Sequence, residues 1–331
     1  MFSISIHEGD ILNRPCDLLI LKHAAGFYGV DQKIAELIGF TGTVPEGKVR
    51  VVPGRRTEAK RVAFLGVGPL VDFEYRKIRE FGRRAVEVAI DATRGQKEFL
   101  RRVCMPVHGP GYGLDEAESF SSLIAGVLDA AASERAIQDI ENLEIVENNP
   151  ARVRRLQRIL SDLVEQPITF GGAILGAVVP AVNIKLRDHL KTFGSESELK
   201  TRLFVAMPFK DDYNDEWEIS IQEAANSLQM LCERIDKSAF TGDISAEIKR
   251  RIEQYDGLIA LLNGANPNVF LEIGYAWAKE KPTLLLAKDG QELPFDVRGQ
   301  RCIFYRNIAD LRTKLKSELG QLQSSGVFRR A

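Results

Sequence analysis

Gly257-Leu258-Ile259-Ala260-Leu261-Leu262 carries no polar side chain, and it runs through a short turn into Asn266-Pro267-Asn268-Val269-Phe270-Leu271-Glu272-Ile273-Gly274-Tyr275-Ala276-Trp277-Ala278. A strand apolar on both faces belongs at the centre of a parallel sheet covered on both sides. The Asn-Pro-Asn turn then opens a helix expected over about Val269 to Lys279. Open parallel sheets bind ligands beyond the carboxyl ends of their strands, which is where this turn lies. Glu272 therefore has two readings. It is an acid in the first helical turn that complements the macrodipole, or a carboxylate facing a ligand crevice.

The flanking sequence continues the alternation. Leu203 to Met207, Thr283 to Ala287 and Arg301 to Tyr305 read as strands. Ser245 to Gln254 and the Ile308, Leu311, Leu315, Leu319 row read as helices, and Trp217, Ile221, Ala224, Leu228 and Leu231 define one helical face. The first half has the same style. Strands are expected at Phe2 to Ile6, Cys16 to Leu21, Lys48 to Val52, Arg61 to Val67, Leu100 to Val107 and Leu143 to Val146. Helices are expected at Asp31 to Ile38, Tyr75 to Ile90, Asp115 to Ala132 and Ala151 to Glu165. Two α/β domains follow, 1–165 and 201–331, with 166–200 as an interdomain segment. A length of 331 residues agrees, since single cores rarely grow beyond about 250–300 residues.

Composition excludes several classes. With 45 Lys and Arg against 46 Asp and Glu, the net charge is −1, which argues against a nucleic-acid partner. The four cysteines are far apart and there are only 4 histidines, so no metal site or disulfide framework is expected and a cytoplasmic location fits. The start of the chain does not read as a secretory leader. Ile168 to Ile184 has no charge over 17 residues, but Pro180 and its glycines favour a segment buried in protein over a membrane span.

Three motifs of the first half sit after strands: Glu8-Gly9-Asp10-Ile11, Ala24-Ala25-Gly26-Phe27-Tyr28-Gly29-Val30-Asp31, and His108-Gly109-Pro110-Gly111-Tyr112-Gly113. Each alone reads as a turn, Asp10 bonding its own backbone; together, glycine loops ahead of helices let backbone amides approach a phosphate. Their combination and order resemble a macro domain, the ADP-ribose-binding fold, and Gly47 to Gly68 resembles the related amino-terminal domain of leucine aminopeptidases. The resemblance implies a three-layer domain in which Asp10 and Ile11 hold adenine. It assigns the diphosphate and distal ribose to Ala25, Gly26, Gly29 and Val30 and to His108, Gly109, Gly111, Tyr112 and Gly113. Hydrolytic macro domains carry Asn after the second strand, where this chain has Lys22 and His23. Binding is expected rather than hydrolysis.

From about Arg202 to Phe304 the chain resembles the nucleoside 2-deoxyribosyltransferase and TIR-like family. The likeness rests on Phe204-Val205-Ala206-Met207-Pro208-Phe209, Glu233 to Asp236, Gly242 to Ile244, the Asn266 to Ala278 stretch and Leu293 to Gly299. It implies a flavodoxin-like parallel-sheet domain with Glu272 as the catalytic carboxylate, assisted by Asp256 and by Asn266 or Asn268. Met207, Pro208 and Phe209 would wall the base, and Asp236, Asp243, Phe295 and Asp296 would complete the substrate site. Asp236 and Asp243 equally suit turns and helix caps. Relatives read Ala-Asp-Leu-Thr-Gly where this chain has Ala260-Leu261-Leu262-Asn263-Gly264, so the acid at position 261 is missing.

Joined, the two resemblances imply a nucleotide-sensing N-glycosidase. The first domain would bind an ADP-ribose-type ligand and the second would cleave NAD, taken as substrate with no cofactor. Such coupling resembles prokaryotic antiviral effectors, which are expected to be homo-oligomers. The alternatives are a deoxyribosyltransferase or nucleotide hydrolase of salvage, and a nucleotide-binding adaptor without catalysis.

Overall fold

The computed structural model describes residues 2–25, 28–96, 99–133, 135–163, 167–170, 173–178, 190–235 and 244–328. The chain is α/β and divides into two compact units, Met1–Pro110 with Glu116–Glu198, and Gly111–Asp115 with Leu199–Ala331.

The first unit contains β1 (Ser3–Glu8), β2 (Cys16–His23), β3 (Val49–Pro53), β4 (Ala59–Gly66), β5 (Leu100–Met105), β6 (Ile140–Glu147), β7 (Pro167–Phe170) and β8 (Ala173–Val178). Its helices are α1 (Gly29–Ile38), α2 (Tyr75–Gln96), α3 (Glu116–Ser133) and α4 (Pro150–Leu163). The sheet order is β3-β4-β2-β5-β6-β1-β8-β7. The run from β4 to β1 is parallel, and β3, β8 and β7 are antiparallel to their neighbours. Leu18 to Leu21 are fully buried, as expected of a strand with helices on both faces. Leu19, Leu21, Val62 and Phe64 meet Ile34 and Ala35 of α1 on one face.

The second unit contains β9 (Arg202–Ala206), β10 (Leu231–Glu233), β11 (Gly257–Leu261), β12 (Thr283–Lys288) and β13 (Cys302–Tyr305). Its α-helices are α5 (Gln222–Asn226), α6 (Ile244–Gln254), α7 (Pro267–Ala278), α8 (Phe295–Arg298) and α9 (Ile308–Ser324), and a π-helical turn, Glu216–Ile221, precedes α5. All neighbours in the order β10-β9-β11-β12-β13 are parallel. This is the doubly wound order of flavodoxin-like sheets, whose winding reverses between β9 and β11. Alternation along β11 separates the layers. Leu258, Ala260 and Leu262 pack with Ile252 of α6 and with Val269 and Ile273 of α7. Ile259 and Leu261 pack with Trp217, Ile221 and the α9 leucines.

Two expectations are corrected here. Residues 167–170 and 173–178, inside the segment read as interdomain, are β7 and β8 of the first sheet, β8 lying beside β1. The uncharged run is thus partly a strand pair; 179–184 lies outside the described residues. The helix expected to carry Leu228 and Leu231 ends at Asn226. The backbone turns through a left-handed Gln229 (φ 59°), and Leu231 enters β10. Among the described residues, no helix is long and apolar enough to cross a membrane.

Candidate functional site

The first unit has a cleft of about 330 Å³ at the carboxyl ends of three adjacent strands. Gly9, Asp10, Ile11 and Leu12 enter it from β1, and Pro106 and Val107 from β5. Val146, Glu147 and Asn148 come from β6, Arg152 from α4, and Val30 and Lys33 from α1. Asp10 uses Oδ1 to accept from Leu12 N at 3.0 Å, the local turn its sequence suggests, and the residue is exposed on the cleft wall. Glu147, Asn148 and Arg152 carry no glycine motif, so sequence reading passed over them. Arg152 is fixed by Glu147 (3.3 Å) and by Glu116 (2.7 Å). Burial would push the Glu116 carboxyl up, but hydrogen bonds and charge from Arg155 and Arg152 hold it below the usual range.

The third loop is placed differently from expectation. His108 is buried edge-on against Phe81 (ring centroids 4.8 Å apart) and Phe73 (6.4 Å). Burial, with the Lys22 charge, lowers its pKa well below the ordinary value, so it is a neutral core histidine. Gly109 sits at φ 113°, and a Cβ there would lie 2.4 Å from Ser119 Oγ. Gly111, Tyr112 and Gly113 belong to the second unit. There Gly113 O accepts from Arg234 N (3.1 Å) and Tyr112 O from Arg251 (3.2 Å). Those three residues do not line the first cleft. Ala25 is exposed with φ 44°, Gly29 begins α1, and Gly26 lies outside the described residues.

Where the resemblance has Asn, the structure has a buried pair. Lys22, next to last in β2, is at 1% exposure and donates to Asp31 of α1, at 2%. Burial raises the Asp31 pKa against the opposing Lys22 charge. The pair ties the first turn of α1, next to Val30 and Lys33, to the sheet.

The second unit holds a cleft of about 330 Å³ between α6 and α7, reaching Phe209 beyond β9. Ile244, Ser245, Ile248, Lys249 and Ile252 line it from α6, and Asn268, Leu271, Glu272 and Tyr275 from α7. Both rows follow the three- and four-residue spacing of one helical face. Its Phe209 and Asn268 end lies beyond the carboxyl ends of β9 and β11, between which the winding reverses, where parallel sheets bind ligands. Glu272 is the one carboxylate among the described residues lining it. It stands six residues beyond the Asn266 cap, in the second turn rather than the first, where the dipole effect has fallen off.

The other expected partners separate. Asn268 and Phe209 reach the cleft, whereas Asn266 caps α7 by accepting from Asn268 N at 2.9 Å. Met207 and Pro208 are buried and do not line it, Met207 packing with Trp217 in the α9 layer. Asp256 is corrected by topology: it precedes β11 at the end opposite α7, and its Oδ2 accepts from Arg202 N at 2.8 Å. Phe295, at 88% exposure, and Asp296 lie on α8 away from the lining, and Asp236 and Asp243 lie outside the described residues. Glu233 is fully buried, bound by Arg202 at 3.0 Å and by the Tyr255 hydroxyl. Leu261 lies in the α9 layer, on the sheet face opposite α6 and α7, so the acid absent there is not one lost from this cleft. Among the described residues, no group of His, Cys, Asp or Glu is arranged to hold a metal ion.

No family model matches the chain, and no curated protein matches it. Among solved structures, it is similar to the Oceanobacillus iheyensis macrodomain with ADP (17% identity, TM-score 0.37, covering 48% of this chain and 90% of that one). It is also similar to the Trypanosoma brucei macrodomain in complex with ADP (14%, 0.39, 47% and 68%). A third is the Clostridium botulinum CMP N-glycosidase BcmB (21%, 0.31, 36% and 99%).

Proposed function

We propose that the second unit is an N-glycosidase acting on NAD or a related nucleotide, and that the first unit binds an ADP-ribose-type nucleotide. The observation that carries the reading is Glu272, the one carboxylate among the described residues lining a mostly apolar cleft whose Phe209 end lies beside the winding reversal. Cleavage breaks the C1′–N bond, whose electron pair leaves with the base. Water supplies hydroxide to C1′; its proton goes to solvent when the leaving base is nicotinamide, which departs neutral, and to the base when it is a nucleobase such as cytosine. The sugar becomes cationic on the way, and a carboxylate in an apolar surround stabilises that charge more than it would in water. Asn268 would hold a ribose hydroxyl and Phe209 would cover the base. In the first cleft, Asp10 with Ile11 would hold adenine, while Lys33 and Arg152 supply cations for phosphate. Coupling such a sensor to NAD loss would suit an effector of prokaryotic antiviral defence. The test is to incubate the purified full chain with NAD, CMP and deoxynucleosides, with and without ADP-ribose, and to follow released base by chromatography. Release of nicotinamide from NAD supports the reading; no free base from any substrate overturns it.

A further inference from the structure

Among the described residues, the cleft between α6 and α7 is lined by one carboxylate and one ammonium, Lys249. The surrounding cations are occupied. Arg250 and Arg251 both bind Glu247, at 2.5 and 2.9 Å. Lys279 binds Glu253 at 2.7 Å, and Lys281 donates to Tyr255 O at 2.7 Å. Among the described residues Lys249 makes no ion pair; its Nζ rests 5.7 Å from the centre of the Tyr275 ring. That ring is itself held from its far end, where the hydroxyl donates to Glu253. Lys249 is thus an exposed cation lining a ligand-sized, largely apolar cleft, carried by α6 as Glu272 is by α7.

Resting on the glycosidase reading, we infer that Lys249 is the specificity-determining residue that makes this cleft take phosphorylated substrates over the corresponding nucleosides. A nucleotide carries its phosphate on C5′, away from the base on C1′. With Glu272 at C1′, the phosphate must lie across the cleft, towards α6. Without a cation there, the phosphate and Glu272 would repel each other across the cleft. Lys249 supplies that cation. Ser245, one turn earlier on the same helical face, adds a hydroxyl near the positive end of α6. A nucleoside gains nothing from either.

The experiment compares wild type, Lys249→Ala and Lys249→Arg on two matched pairs, CMP with cytidine and NAD with nicotinamide riboside. Loss of one charge-assisted contact should lower kcat/KM for the phosphorylated member by about 10- to 100-fold. The loss should appear mainly in KM, the nucleoside should be unaffected, and Lys249→Arg should restore most of it. An unchanged nucleotide-to-nucleoside ratio in Lys249→Ala overturns the assignment. Binding gives a second readout that does not need turnover. Both tryptophans, Trp217 and Trp277, lie in the second unit, so their fluorescence is a readout of that unit. Tighter binding of CMP than cytidine that disappears in Lys249→Ala upholds the phosphate seat even if no base is ever released, in which case only the glycosidase reading falls. Equal binding of both ligands by wild type overturns the seat.

Discussion

Replacing Lys22 by methionine keeps the reach of the side chain but removes its ammonium. Asp31, at 2% exposure, is then left without its ion partner, and its Oδ1 already has no hydrogen-bond partner. Breaking a buried pair from one side costs about 3–5 kcal/mol, whereas replacing both members with apolar residues is near neutral or stabilising. Lys22→Met should therefore lower the melting temperature of the first unit by roughly 6–20 °C, at about 2–4 °C per kcal/mol for a unit of this size. Lys22→Met with Asp31→Leu should recover most of that. The sign with pH follows from Asp31, whose pKa burial raises. As pH falls, the stranded carboxylate takes up a proton, so the single-variant penalty should be smaller at pH 5 than at pH 7. Because the pair anchors α1, ADP-ribose affinity should fall with stability and return in the double variant. The assay is thermal circular dichroism at both pH values, with calorimetry for the ligand. A single variant within about 1 kcal/mol of wild type, or a double variant no better than the single, would refute the reasoning.

Gly109→Val should destabilise the first unit by more than about 1–3 kcal/mol, since it combines a left-handed φ with a Cβ 2.4 Å from Ser119 Oγ; urea titration checks it. Glu116 is held below its ordinary pKa, so its stabilisation is complete above about pH 4.3, the unfolded value. It is lost as pH falls towards the folded value. Acid titration of Glu116→Gln should show a shallower loss over that window. Asn266→Ala should cost about 1 kcal/mol as a lost helix cap with turnover nearly unchanged. Asn268→Ala should do the reverse, and steady-state kinetics beside thermal melts separates the two.

The parallel strands were legible because burial on both faces leaves no polar residue, as in Leu18 to Leu21 and Gly257 to Leu262. That Glu272 would line a cleft was legible for the same reason, since it lies on the helix that follows a central strand and a turn. What escaped depends on distance or on neighbours. Nothing local in Leu231 distinguishes a helical face from β10, because the left-handed turn at Gln229 intervenes. The glycines of the third loop predict flexibility in any context, but not that Gly113 would take its partner from Arg234. Asp256 was drawn to the site by motif alone, while five residues of β11 separate it from the cleft end. Lys249 had no motif, and its significance lies in the pairing of Arg250, Arg251 and Lys279 around it.

The most direct measurement is base release by Glu272→Gln beside wild type, at equal folded concentration verified by circular dichroism. The exchange keeps shape and hydrogen bonding and removes the charge set against the developing ribosyl cation. Turnover should fall by about 100-fold or more, with the melting temperature nearly unchanged, since Glu272 lies beyond the first turn and only partly buried. A folded Glu272→Gln protein that releases base at the wild-type rate would contradict the catalytic reading.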